Sequence, residues 1–183
     1  MNTETFRNNL FNMNTRRFGA VAELLVQKLV KHNTPTNLHH DLAGLHSDLR
    51  IEVKFSRAER KHKEPINEHN VISAIENDGL DVRLFASNDY LKNDWDCNIQ
   101  QVKPDEFDIL IYGICFADTV HLFLITPYDL LTDSRLGYCD KQHKGNVGEG
   151  QFHLNKRNFT THLANYHFRS IGYSSMKMLL EHT

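Results

Sequence analysis

Arg50-Ile51-Glu52-Val53-Lys54-Phe55 is the stretch that decides how this chain is read. Ile51, Val53 and Phe55 alternate with Arg50, Glu52 and Lys54, the period of a strand with one face on a core. A carboxylate and an ammonium then stand side by side on the polar face. Asp41 lies eleven positions before Glu52, at the start of another short apolar segment, Leu42-Ala43. Between the two segments, Gly44-Leu45-His46-Ser47-Asp48 reads as a turn. Folded back as a hairpin, the chain brings Asp41 against Glu52. That gives two hard oxygen ligands for a divalent ion, with a lysine beside them.

Two aspartates precede Glu52, and geometry chooses between them. Asp48 would share a strand face with Glu52 at a separation of roughly 13 Å. That is too far for two ligands of one ion whose bonds are ~2.1 Å long. A four-residue turn at 45–48 instead sets Asp41 directly opposite Glu52, with Cβ atoms ~5 Å apart. Asp41 is therefore the expected ligand and Asp48 a turn residue.

Asp41, ten intervening residues and then Glu52-Val53-Lys54 resembles the motif of the PD-(D/E)xK nuclease superfamily, which includes type II restriction endonucleases, junction resolvases and DNA repair nucleases. A helix before the motif and two strands and a helix after it fit the same pattern, so the resemblance covers roughly residues 16–132. His40 stands where the motif name has proline. The resemblance implies an α/β fold of the restriction-endonuclease type, a central mixed β-sheet flanked by helices. It implies Mg²⁺ as cofactor, with Mn²⁺ able to substitute, and double-stranded DNA as substrate. It also implies that Glu23, on the first predicted helix, faces the same ions directly or through water. A small chain with one active site most resembles a type II restriction endonuclease, and cutting both strands then requires a homodimer.

The chemistry suits these residues. Phosphodiester cleavage needs an activated water and stabilisation of charge on the phosphate. A Mg²⁺ held by Asp41, Glu52 and the Val53 carbonyl supplies both. Lys54 would contact the scissile phosphate or the attacking water, as a base or as a fixed positive charge.

At 183 residues the chain predicts one domain, with a catalytic core over 16–132 and DNA-contacting loop and C-terminal helices over 133–183. No apolar run reaches membrane-spanning length. Residues 1–14 are polar, without a secretory h-region. Cys97, Cys115 and Cys139 are widely spaced and form no C-x-x-C, which fits a reducing cytoplasm. The formal charge of −2 weighs against a nucleic-acid binder. The bases are clustered, however. Arg57, Arg60, Lys61 and Lys63 follow the motif strand, where they would give sequence-independent affinity for a phosphate backbone. Lys144-Gly145-Asn146-Val147-Gly148-Glu149-Gly150-Gln151-Phe152-His153-Leu154-Asn155-Lys156-Arg157 forms the second run. Its glycines allow close approach, and Lys144, Asn146, Gln151, His153, Asn155, Lys156 and Arg157 are of the types that reach bases and phosphates. It reads as a DNA-contacting loop leading into a strand at 151–154. His39-His40 lacks further ligands at zinc-finger spacing.

The remaining elements follow from periodicity. Residues 15–32 read as an amphipathic helix capped by Thr15. Residues 56–65 read as a charged loop or helix start, and 71–75 fit strand or helix. Residues 107–116 and 120–126 read as paired strands, with a helix starting at Pro127. Further helices are expected near 160–166 and 174–182. Three other readings compete with the restriction enzyme: a nuclease that reads DNA structure, a silent DNA-binding module of the same fold, and a structural protein whose E-x-K is accidental.

Overall fold

The structure, a computed structural model, describes residues 1–30, 41–43, 49–61, 64–141 and 147–181. Helix α1 (Thr3–Asn12) opens the chain, capped by the Asn2 side chain, which accepts the Thr5 N–H. The polar composition of residues 1–14 conceals it, because only Leu10 and Phe11 are buried. Helix α2 (Thr15–Val30) buries Phe18, Ala22, Leu25 and Val26, the stripe its spacing predicts. Its cap is Asn14 rather than Thr15: the Asn14 Oδ1 accepts the Arg17 N–H at 3.0 Å.

The main sheet has five strands. In spatial order they are β1 (Leu42–Ala43), β2 (Arg50–Arg57), β4 (Ile109–Cys115), β5 (Thr119–Ile125) and β8 (His167–Gly172). β2 runs parallel to β4, and the other neighbours are antiparallel, so the sheet is mixed. The intervening strand β3 (Asp96–Val102) belongs to a second sheet, where it pairs with β7 (Val147–Asn155), which pairs in turn with β6 (Cys139–Lys141).

Each face of the main sheet meets a different layer. Ile51, Val53 and Ile111 pack with Ala22 and Val26 of α2. Cys115, Val120 and Leu122 pack with Leu10, Phe18 and Leu25, and with Tyr173 and Met176 of α7 (Tyr173–Glu181). On the opposite face, Tyr112, Ile114 and Phe123 meet Cys97 and Ile99 of β3, and Phe152 and Leu154 of β7. Leu130 of α5 (Pro127–Thr132) and Phe159 of α6 (Phe159–Asn165) complete that core. The chain is thus mixed α/β with a mixed central sheet flanked by helices, and the second sheet is an added layer on one face.

Gly113 faces Phe55 across the parallel pair. A Cβ at Gly113 would lie 2.6 Å from the Phe55 ring, so only glycine leaves the ring its place. Between β2 and β3, helices α3 (Val71–Glu76) and α4 (Leu80–Arg83) bury no residue, and α3 settles the strand-or-helix ambiguity at 71–75.

Candidate active site

The ladder between β1 and β2 pairs Leu42 with Ile51 and Ala43 with Arg50. These two pairs are the register that a turn at 45–48 predicts. At Asp41 the backbone leaves it: the Asp41 N–H donates to the Ile51 carbonyl at 3.0 Å, although Ile51 is already paired with Leu42, so Asp41 is not the ladder partner of Glu52. Its charge nevertheless reaches the Glu52 carboxyl. Residues 44–48, including Asp48, lie outside the described residues, as do His39 and His40. The Val53 N–H donates to the Asp41 Oδ2 at 2.7 Å, so the carboxylate is held against the motif strand. The N–H and C=O of a strand residue point to the same neighbour. The Val53 carbonyl therefore opens on the edge of β2 where Asp41 sits.

Glu52 and Lys54 share the face opposite Ile51 and Val53, and the Lys54 ammonium bonds the Glu52 Oε1. The Glu52 side chain is only 13 % exposed. Burial pushes its carboxyl up to about 7, with Asp41 and Glu106 raising it further and Lys54 opposing. Glu23 of α2 is also raised, first by burial and then by Asp41, while Lys54 opposes. Glu23, Asp41, Glu52 and Lys54 therefore share one electrostatic neighbourhood. Glu106 adds a fifth member that sequence reading missed. It precedes β4, and the parallel register brings the start of that strand beside Glu52, opposite Leu110. Arg50 fixes the same end of the sheet by a two-pronged ion pair with Asp108, Nη2 to Oδ1 at 2.8 Å and Nε to Oδ2 at 3.3 Å.

Among the described residues, no group of three or more His, Cys, Asp or Glu side chains is gathered closely enough to hold a metal ion. The donor chemistry nevertheless fits a hard cation: two neighbouring carboxylates, Asp41 and Glu52, a backbone carbonyl on the edge where Asp41 sits and Glu23 nearby. A carboxyl forced toward neutrality by burial and acidic neighbours also gains most from an added cation.

The residues expected to contact DNA divide. Arg57 turns toward the helices: its Nη2 donates to the Met13 carbonyl at 2.6 Å, and its guanidinium lies 4.0 Å over the Phe18 ring. Arg60 is likewise tied inward, donating to Asn93 Oδ1 at 2.7 Å and to the carbonyls of Val82 and Leu84. The run after the motif strand is an extended continuation of it, with bridges from Glu59 to Leu84 and from Arg60 to Trp95. The expected glycine-rich loop is strand from Val147 onward. Gln151 is 8 % exposed and accepts from Asn98 Nδ2 at 2.9 Å, so its amide faces the second sheet. His153 pairs with Asp96 at 2.7 Å. Asn155 caps a turn by accepting the Arg157 N–H at 2.9 Å. Lys61 and the distant pair Lys156-Arg157 line one pocket. Lys63, Lys144 and Asn146 lie outside the described residues.

Compared with known proteins, the chain matches no family model, no curated protein and no solved structure. No helix among the described residues is long and apolar enough to cross a membrane.

Proposed function

We propose that this chain is a metal-dependent DNA endonuclease of the PD-(D/E)xK type, most like a type II restriction enzyme. The observation that carries the reading is the Asp41 carboxylate, held by the Val53 N–H on the edge of β2 and near enough to Glu52 to raise its carboxyl, with Lys54 bonded to Glu52. The mixed sheet bearing these residues, with α2 packed beneath β2, also suits a fold of the restriction-endonuclease type.

Asp41, Glu52 and the Val53 carbonyl would hold Mg²⁺ or Mn²⁺, with Glu23 behind them. When bound, the ion supplies Lewis-acid stabilisation of the phosphate and a more acidic water. The chain's own groups do the rest. The Val53 N–H fixes the Asp41 carboxylate in one orientation. Glu52 must lose its proton to act, and its value near 7 places that loss at neutral pH. Lys54 leaves Glu52 and turns its charge to the phosphate. Double-strand cleavage takes two such sites, hence a twofold homodimer on duplex DNA.

The test is incubation of the purified protein with mixed-sequence DNA and Mg²⁺, with and without EDTA, beside Glu52→Ala. Discrete fragments that vanish with EDTA and in the variant support the restriction-type reading. A preference for branched over plain duplex substrates transfers the proposal to a structure-reading nuclease. Full activity in Glu52→Ala sinks the site. One observation favours a silent DNA-binding module instead: Lys54 already satisfies Glu52, and no three-donor group is assembled among the described residues. DNA binding without turnover in any divalent ion would favour that reading.

A further inference from the structure

We infer that the pocket formed by Lys61, Asp94, Trp95, Asn155, Lys156 and Arg157 is a phosphate-binding site, separate from the carboxylate pair and built to hold a phosphate of a nucleic-acid strand. The pocket, about 370 Å³, draws its walls from three segments distant in sequence. The extended tail of β2 brings Lys61, pinned by a 2.8 Å bond from its N–H to the Asp94 carbonyl. Trp95 is fully buried behind it, its indole N–H bonded to the Tyr90 carbonyl at 2.9 Å. The turn after β7 brings Lys156 and Arg157, and the Asn155 side chain holds that turn through the Arg157 N–H.

The charge balance favours an anion. Three cations face one carboxylate, and Lys156 lies 3.8 Å from Asp94, largely cancelling it. Neither Lys61 nor Arg157 has a side-chain hydrogen bond or ion pair among the described residues, and Arg157 is exposed. An Arg and a Lys without partners beside a rigid aromatic wall are suited to phosphate oxygens. The pocket lies seven residues beyond Lys54, no more than ~25 Å of extended chain. That span is within the length of a short duplex. The phosphate assignment stands on the pocket alone. The nucleic-acid source rests on the nuclease reading.

Trp95 is the only tryptophan of the chain, so its fluorescence reports on this pocket directly. The experiment titrates the metal-free full-length protein in EDTA with a short DNA duplex, and separately with inorganic phosphate, at several salt concentrations. Saturable change with DNA, alone or with phosphate as well, is the expected result. Removing Lys61 or Arg157 as alanine variants should each lower the slope of log affinity for DNA against log salt by roughly 1. Asp94→Asn should act in the opposite direction and tighten binding severalfold, which a misfolded variant would not do. A flat Trp95 signal with both ligands overturns the proposal, as does an unchanged salt slope in Lys61→Ala with Arg157→Ala. Because no metal or cleavage is involved, the pocket is judged apart from the nuclease site. A bound duplex that is never cut would sink the nuclease and keep the pocket. Cleavage that needs Glu52 but ignores Lys61 and Arg157 would do the reverse.

Discussion

Asp41 is tied to the backbone of the motif strand: its Oδ2 accepts the Val53 N–H at 2.7 Å. That strand thus orients the carboxylate whose charge raises its own Glu52. Asp41→Ala removes both the proposed ligand and this anchor, and Asp41→Asn keeps the size but loses charge. Both should lower Mg²⁺-dependent cleavage beyond the ~10–100-fold typical of lost supporting groups. Lys54→Ala should fall similarly, while thermal melting moves little. Cleavage rates and melting curves of the three variants check this.

The pH dependence of stability should show two opposing contributions in metal-free buffer. Glu52 is raised from 4.5 to about 7 on folding. The folded state holds a proton that the unfolded state releases, so this contribution is full below pH 4.5 and lost as pH rises through 7. His162 is lowered from 6.5 to about 4 by burial. Its contribution is full above pH 6.5 and lost as pH falls through 4. Each is worth up to about 3 kcal/mol, and between pH 4.5 and 6.5 they cancel. Glu52→Gln should therefore become more stable than wild type as pH rises from 5 to 8, read as denaturation midpoints.

His162 has a second consequence. The Tyr112 hydroxyl and His162 Nδ1 lie 2.6 Å apart in the core, and the Nε2 has no partner among the described residues. Tyr112→Phe strands the imidazole and should cost about 1–3 kcal/mol. Adding His162→Phe should cost less than the sum of the single changes, because the polar pair leaves together. The double variant should also lose the acid sensitivity assigned to His162. A double-mutant cycle at pH 5 and pH 8 measures both effects.

Arg57 should prove to be a structural residue. Its contacts with the Met13 carbonyl and the Phe18 ring tie β2 to the junction of α1 and α2. Arg57→Ala should destabilise by about 2–3 kcal/mol and leave the salt slope of DNA binding unchanged. A slope reduced by roughly 1 would restore Arg57 to the DNA surface.

Gly113→Ala should destabilise by about 1–3 kcal/mol through overpacking against Phe55. Phe55→Leu in the same chain should recover part of the loss. Urea denaturation of the single and double variants is sufficient to test it.

Much of the site region was legible because two periods coincide there. Ile51, Val53 and Phe55 alternate cleanly, and Phe18, Ala22, Leu25 and Val26 mark the helix that covers them. The hairpin length set the register of Leu42 with Ile51 and Ala43 with Arg50, but not the turn of the backbone at Asp41, whose N–H goes to the Ile51 carbonyl. The second sheet was not legible, for identifiable reasons. In β3, Cys97 and Ile99 alternate, but a bulge at Gln101, whose φ is 56°, breaks the period before Val102. In β7 the stretch of glycines and polar residues that suggested a loop is a central strand between β3 and β6, with Gly150 opposite Val102 and Gln151 opposite both Gln100 and Cys139. Arg57 and Arg60 looked like a surface charge run because nothing in the sequence marks the carbonyls that bind them. The pocket around Trp95 joins residues 61, 94 and 157, a convergence that only the folded chain shows.

The parallel pairing of β2 with β4 sets an order on synthesis. Arg50 meets Asp108, its partner at the start of β4, 58 residues downstream. A nascent chain that has made Glu52 and Lys54 has therefore not yet made the strand that positions them. Closing so long a loop is slow compared with local hairpin formation. The carboxylate pair can form early as a hairpin, but its backing arrives only after β4 and β5 have left the ribosome. Any activity of this site would thus be withheld from partial chains, so that a truncated product carrying the whole motif would still be inert.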